Sequence, residues 1–230
     1  MMKLFKKMTL FHKIMICFVL GIVVGIIMGP KASVFEFLGT IMIRLLEMVV
    51  APLILCLMIS TVGSVSDMKS FGGIAVKTVI TYACLTFIAV ALGLGTALLF
   101  HVGEGANIDV GSIKATEVKS ASFFDSIINM VPKNIFAALS EPNLIQIIVF
   151  ALIFAFALTK LGDRGLRVIN AFDILSDAMK GVVNVVLGYT PIGVFGLMAN
   201  VIGNNGVSIM IPFAKAIAAV YVASFIQTVI

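Results

Sequence analysis

Residues 131–158 read VPKNIFAALSEPNLIQIIVFALIFAFAL, and the fold follows from how Val131 to Leu158 can be built. The second half, Leu144 to Leu158, is an apolar run, while the first half carries Val131-Pro132 and Glu141-Pro142. Proline lacks an N–H and clashes with the preceding helical turn. Hydrocarbon leaves a spanning backbone only its own hydrogen bonds, so irregular segments there must be covered by protein or water. Two prolines and an acid ahead of a short apolar run predict a membrane span made as a broken helix.

Similar apolar segments lie on both sides. On the amino-terminal side, Phe11 to Met28 reads as a first span, with Gly21, Gly25 and Gly29 on one face where a neighbouring backbone can approach. Phe37 to Gly63 reads as a second, with Pro52 in its interior and Arg44 and Glu47 three apart, close enough to meet and to reach the interface as a structural pair. A polar link, Ser64 to Lys77, precedes a third span from Thr78 to Phe100, where Thr78, Tyr82 and Thr86 recur every four residues as a hydroxyl stripe. Gly93 and Gly95 follow it. His101 to Asp125 is the most polar stretch and reads as a loop on the outside.

On the carboxyl-terminal side, Lys160 to Lys180 is charged, with Asp173 and Asp177 on one face and Lys180 three beyond. It reads as a cytoplasmic helix that enters the membrane up to Tyr189, with a kink at Pro191 before Ile192 to Ile202. Gly203-Asn204-Asn205-Gly206 predicts a tight turn, and a last span begins near Ile209. The chain stops at Ile230 without a polar anchor, which reads as a truncated span.

The fold class is therefore all-α, a polytopic membrane protein of about six transmembrane helices with a broken fourth span. Composition agrees: 61% of residues are hydrophobic and 12% charged, too few charges to cover a soluble domain of 230 residues. The net charge of +5 does not mark a nucleic-acid binder, since its basic residues are dispersed between apolar segments. Lys3, Lys6, Lys7 and Lys13 precede the first span and place the amino terminus in the cytoplasm. Gly29-Pro30-Lys31 is a poor cleavage context, so the first apolar segment reads as a span rather than a secretory signal.

Catalytic chemistry is not legible. His12 and His101 sit at opposite ends of different spans, and Cys17, Cys56 and Cys84 read as small apolar fillers without metal-ligand spacing. No GxxxxGK loop occurs, which excludes a built-in ATP motor, and Glu47 is the one acid clearly inside a predicted span. An enzyme is not expected, nor any enzymatic cofactor. Broken helices and hydroxyl-bearing helix faces suit a secondary transporter instead.

Four stretches make this specific: RLLEMVVAP from Arg44 to Pro52, Val131 to Leu158, YTPIGVF from Tyr189 to Phe195 with Ala199 following, and Val76-Lys77 with Tyr82 and Thr86. Together, and in this order, they resemble the dicarboxylate/amino acid:cation symporter family, which includes the glutamate and aspartate transporters. Members of that family are longer, so the resemblance implies an amino-terminal half. It implies a homotrimer in the plasma membrane, with the first, second, fourth and fifth spans as scaffold. The third and sixth would belong to a domain that moves like an elevator. On that basis residues 1–77 hold two scaffold spans and a link, 78–100 a transport span, 101–128 the outside loop, 129–206 two further scaffold spans, and 207–230 an incomplete transport span.

The resemblance further implies symport of dicarboxylates or acidic or neutral amino acids, coupled to sodium or protons. Tyr82 and Thr86 match positions that help to line a sodium site on the third span. Leu85 stands where relatives carry another hydroxyl, and Glu47 where some carry a basic residue. The family's serine-rich hairpin, its NMDG stretch and its substrate-pairing residues would lie past Ile230, so no substrate-binding residue is expected in this chain. The alternative expectation is a membrane scaffold or interaction fragment without transport.

Overall fold

A computed structural model describes residues 8–65, 68–101 and 123–229. Every element among them is helical. Lys3, Lys6, Lys7, Asp67, most of the predicted outside loop and Ile230 lie outside the described residues. Four helical stretches are long and apolar enough to cross a membrane: Leu10–Gly63, Val76–Leu99, Asp163–Asn205 and Val207–Val229. The first runs for 54 residues and is divided by a 3-10 segment, Gly29–Phe35, into α1 (Leu10–Met28) and α2 (Glu36–Gly63). One crossing takes about 20 residues, so this stretch supplies two. A shorter apolar helix, Leu144–Thr159, completes the set that the sequence predicts.

The chain divides into two compact units. The first comprises Met1–Ser66 and Glu117–Gly203. Besides α1 and α2 it contains α4 (Phe123–Asn129), α5 (Ile135–Ser140), α6 (Leu144–Thr159) and nearly all of α7 (Asp163–Asn205). The fourth span is broken where its prolines stand, between α4 and α5 and again between α5 and α6. Each break is closed by an asparagine. Asn134 Oδ1 accepts from the Phe136 amide at 2.9 Å and Asn143 Oδ1 from the Gln146 amide at 3.3 Å, satisfying donors that a helix start leaves free. Gln146 Nε2 then donates to the Asn129 carbonyl at 2.8 Å and ties α6 back to α4.

The core of this unit mixes alanines with branched aliphatic side chains. Ala51 of α2, Ala138 of α5 and Ile147 of α6 form one buried cluster. Ile59, Ala151, Leu158 and Ile169 form another, with Phe154 and Phe172 meeting edge to face at 6.0 Å beside it. Beside that cluster, buried Ser60 donates to Asp173 Oδ1 at 2.7 Å, joining α2 to α7. The α7 surface that receives α1 and α2 carries Gly193, Gly196, Ala199 and Gly203. A Cβ on Gly25 would lie 2.9 Å from the Ala199 carbonyl oxygen, and one on Gly196 would lie 2.8 Å from Leu38 Cβ. Glycine permits helix axes to come this near, and in hydrocarbon such van der Waals contact is what drives helices together.

The second unit comprises Asp67–Thr116 and Asn204–Ile230, with α3 (Met68–Leu99), a 3-10 turn at Val207–Ile209, and α8 (Met210–Val229).

Two expectations need correction. The predicted link from Ser64 to Lys77 is mostly helix, because α3 starts at Met68; polar residues at the end of a span do not oppose helix formation. α7 is helical without interruption from Asp163 through Pro191 to Asn205. A proline removes one backbone donor, and in a membrane helix neighbouring groups compensate. The predicted turn therefore shrinks to Gly206, whose φ of 74° favours glycine.

The glycine contacts make a measurable difference between two sites. Gly25→Leu should lower the stability of the detergent-solubilised protein by about 1–3 kcal/mol, as overpacking does. Gly181→Ala, where an added Cβ meets nothing within 4 Å, should leave it unchanged or raise it by up to about 1 kcal/mol. Thermal unfolding of the two variants checks this, and equal melting points would show that the close seam is not what holds α1.

Candidate functional site

The polar groups of the second unit fall on two successive stretches of one face of α3, at about 100° per residue. The first carries the stripe read from the sequence. Thr78, Tyr82 and Thr86 are all exposed, Tyr82 with 67% of its surface free. Thr81 on the adjacent row back-bonds to the Lys77 carbonyl at 2.9 Å, and an open hollow of about 240 Å³ is lined by Lys77, Thr78, Thr81 and Tyr82. Among the described residues the Tyr82 and Thr86 hydroxyls have no hydrogen-bond partner. Their spacing places them side by side one turn apart, with lone pairs available to a cation. A hard cation takes roughly six oxygen ligands, so two hydroxyls are part of a shell and not a complete one.

The second stretch, further along the helix, meets α8. A cavity of about 320 Å³ runs along this seam, bordered by Ala89, Gly93, Thr96, Ala219, Ala223 and Gln227. Thr96 is buried at 6% exposure, and its hydroxyl donates to the Leu92 carbonyl at 2.9 Å, so it is satisfied within its own helix. Gln227 reaches from α8 and donates from Nε2 to the Leu85 carbonyl at 3.2 Å. Its Oε1 is buried without a partner. Sequence reasoning passed over Gln227. The signal was a lone amide in an otherwise apolar helix, which must find a partner or leave the lipid-facing side.

Leu85, at the position singled out for lacking a hydroxyl, thus serves the helix seam through its carbonyl oxygen, while Tyr82 and Thr86 stand exposed at the end of that face. The expected ion pair of Arg44 with Glu47 is absent: both side chains are exposed and neither has an ion-pair partner among the described residues. The neighbouring pair on α7 does form, with Lys180 Nζ 2.8 Å from Asp177 Oδ1. Cys56 is buried as expected of a filler, whereas Cys84 is exposed. No group of three His, Cys, Asp or Glu side chains converges among the described residues.

Comparison with known proteins decides the family. The model of the sodium:dicarboxylate symporter family matches residues 10–230. The chain belongs to this family. A proton/sodium-glutamate symport protein of Bacillus caldotenax is 34% identical over 227 residues, which is 94% of this chain and 54% of that protein. A protein of the same description from Geobacillus stearothermophilus is equally similar, at 34% identity. A C4-dicarboxylate transport protein of Ralstonia nicotianae is 33% identical, over 96% of this chain and 54% of its own length. This member of the sodium:dicarboxylate symporter family thus spans about half the length of the curated relatives it matches. Those relatives are named as transporters, in keeping with the reading against an enzyme.

The Gln227 contact predicts an asymmetry between two substitutions. Gln227→Leu removes one interhelical bond, worth about 0.6 kcal/mol on average in membranes, together with the unpaired carbonyl, so stability should change by less than about 1 kcal/mol. Gln227→Glu keeps acceptors but loses the donor, and should destabilise by about 1–3 kcal/mol when ionised. The protonated acid can donate to the Leu85 carbonyl and the carboxylate cannot, so stability should recover as pH falls from about 7 to about 5. Thermal unfolding at the two pH values reads both effects; a Glu variant indifferent to pH would place this side chain outside the seam.

Proposed function

We propose that this chain provides the amino-terminal half of a secondary transporter that carries dicarboxylates or acidic or neutral amino acids, with sodium or protons as coupling ion. The observation that carries the reading is the family match over residues 10–230 by a chain about half as long as its relatives. The printed descriptions of those relatives name glutamate with protons or sodium, and C4-dicarboxylates.

In this reading the first unit, with α1, α2, α6 and α7, is a scaffold that meets its copies in a homotrimer of the plasma membrane, its amino terminus cytoplasmic. The second unit, α3 with α8, belongs to the domain that carries solute across. The division of the chain into these two compact units supports that assignment. Tyr82 and Thr86 supply two oxygens to a cation, and the rest of its shell comes from the part of such a transporter that this chain does not contain. The substrate site lies in that part as well.

Two measurements test this in the protein joined to its missing half. Uptake of an anionic solute into vesicles should depend on a sodium or proton gradient, and uptake indifferent to both gradients would remove the symport reading. Tyr82→Phe and Thr86→Val should each weaken cation affinity by about tenfold, the usual loss when one oxygen contact to a charge is deleted. Unchanged affinity in both would reject these two ligands while leaving the transport reading in place.

A further inference from the structure

The first break in the fourth span is a concavity rather than a plain turn. Ile128, Asn129, Pro132, Lys133, Asn134 and Gln146 border an open hollow of about 430 Å³ where α4 ends, α5 begins and α6 passes. Its one charge is a cation: Lys133 is exposed and, among the described residues, has no ion-pair partner. Asp125 and Glu141, the nearest acids in sequence, do not border it. Asn134 Oδ1 accepts from the Phe136 amide at 2.9 Å, which fixes the orientation of this side chain and leaves its Nδ2 to donate. Gln146 Nε2 donates to the Asn129 carbonyl at 2.8 Å and holds the end of α4 in place.

Depth and flanks select the ligand. α6 has 16 residues and is about 24 Å long, against about 30 Å of hydrocarbon. With Lys160 at one membrane boundary and the helix upright, Gln146 in the first turn lies about 9 Å inside the other. From that level a lysine side chain extends to the lipid phosphates. The surfaces around the hollow are apolar and open, with Ile128, Val131, Phe136 and Ile145 all exposed. A soluble anion would match the cation and leave these side chains without a counterpart. A phospholipid matches both.

We propose that this break holds an anionic phospholipid, its phosphate on Lys133 and the Asn134 amide and its acyl chains along Ile128, Val131 and Ile145. The proposal rests on α6 crossing the membrane and is independent of which solute is carried. One asparagine then has two tasks, with its oxygen capping α5 and its nitrogen binding the headgroup. The lipid gives the cation of Lys133 the counter-charge that the chain itself does not provide.

The chain has no tryptophan, so Phe136→Trp supplies a single fluorescent reporter beside the hollow. In bilayers of mixed composition, a phospholipid brominated in its acyl chains quenches this reporter in proportion to its occupancy. Phosphatidylglycerol should be preferred about fivefold over phosphatidylcholine, as expected for one basic side chain facing an anionic headgroup. Lys133→Gln should bring the preference to about one. Asn134→Asp should do the same while keeping the helix cap, because aspartate caps as well as asparagine but presents an anion where the amide donated. Lys160→Gln, at the other end of α6, should leave the preference unchanged. A reporter protein without the preference, or a preference that survives Lys133→Gln or Asn134→Asp, would overturn the proposal. Displacement of the brominated lipid by millimolar inorganic phosphate or succinate would overturn it too, by making this a site for soluble anions.

Discussion

A peptide group in hydrocarbon has no water to bond with, and the architecture follows from that shortage. Each long apolar segment satisfies its own backbone as helix, and each interruption has to be repaired by side chains. The fourth span shows the repair most plainly. Asn134 and Asn143 cap the two helix starts left by Pro132 and Pro142, and Gln146 takes the carbonyl of Asn129. The polar residues that look out of place in an apolar stretch are the ones that let the backbone stop and restart there.

Lipid is as apolar as leucine, so burial alone does not bring membrane helices together. Contact must come from shape. In the first unit it comes from the glycine and alanine face of α7, against which α1 and the start of α2 approach to backbone distance. A part-buried hydrogen bond, Ser60 to Asp173, adds direction to packing that is otherwise non-specific.

The spans were legible in the sequence because hydropathy acts over twenty residues at a time and tolerates local errors. What single residues do was less so. Asp67, Lys69 and Lys77 make the start of α3 look like a link, because one sequence window cannot tell a helix that projects past the membrane from a loop. Pro191 signals a break by its chemistry, yet its neighbours carry α7 through. Arg44 and Glu47 have the spacing of a pair, and spacing states only that two side chains can meet. The hydroxyl stripe at Tyr82 and Thr86 was visible from periodicity, but the amide at Gln227 was not, because a contact between α3 and α8 joins residues 142 apart in sequence.

Many hydroxyls in these helices are satisfied by a nearby group, while Thr190 Oγ1 is buried without a partner among the described residues. Thr96, Thr81, Ser176 and Thr228 each donate to a carbonyl of their own helix, and Ser60 donates to a neighbouring one. These groups are satisfied and have nothing further to offer a ligand. Tyr82 and Thr86 stand one turn apart on the face of α3 that meets α8 further along the helix, without partners among the described residues. Unsatisfied oxygens are costly in hydrocarbon. In the proposed cation site, an ion with its remaining ligands supplied from outside this chain would satisfy both oxygens at once, whereas lipid would satisfy neither.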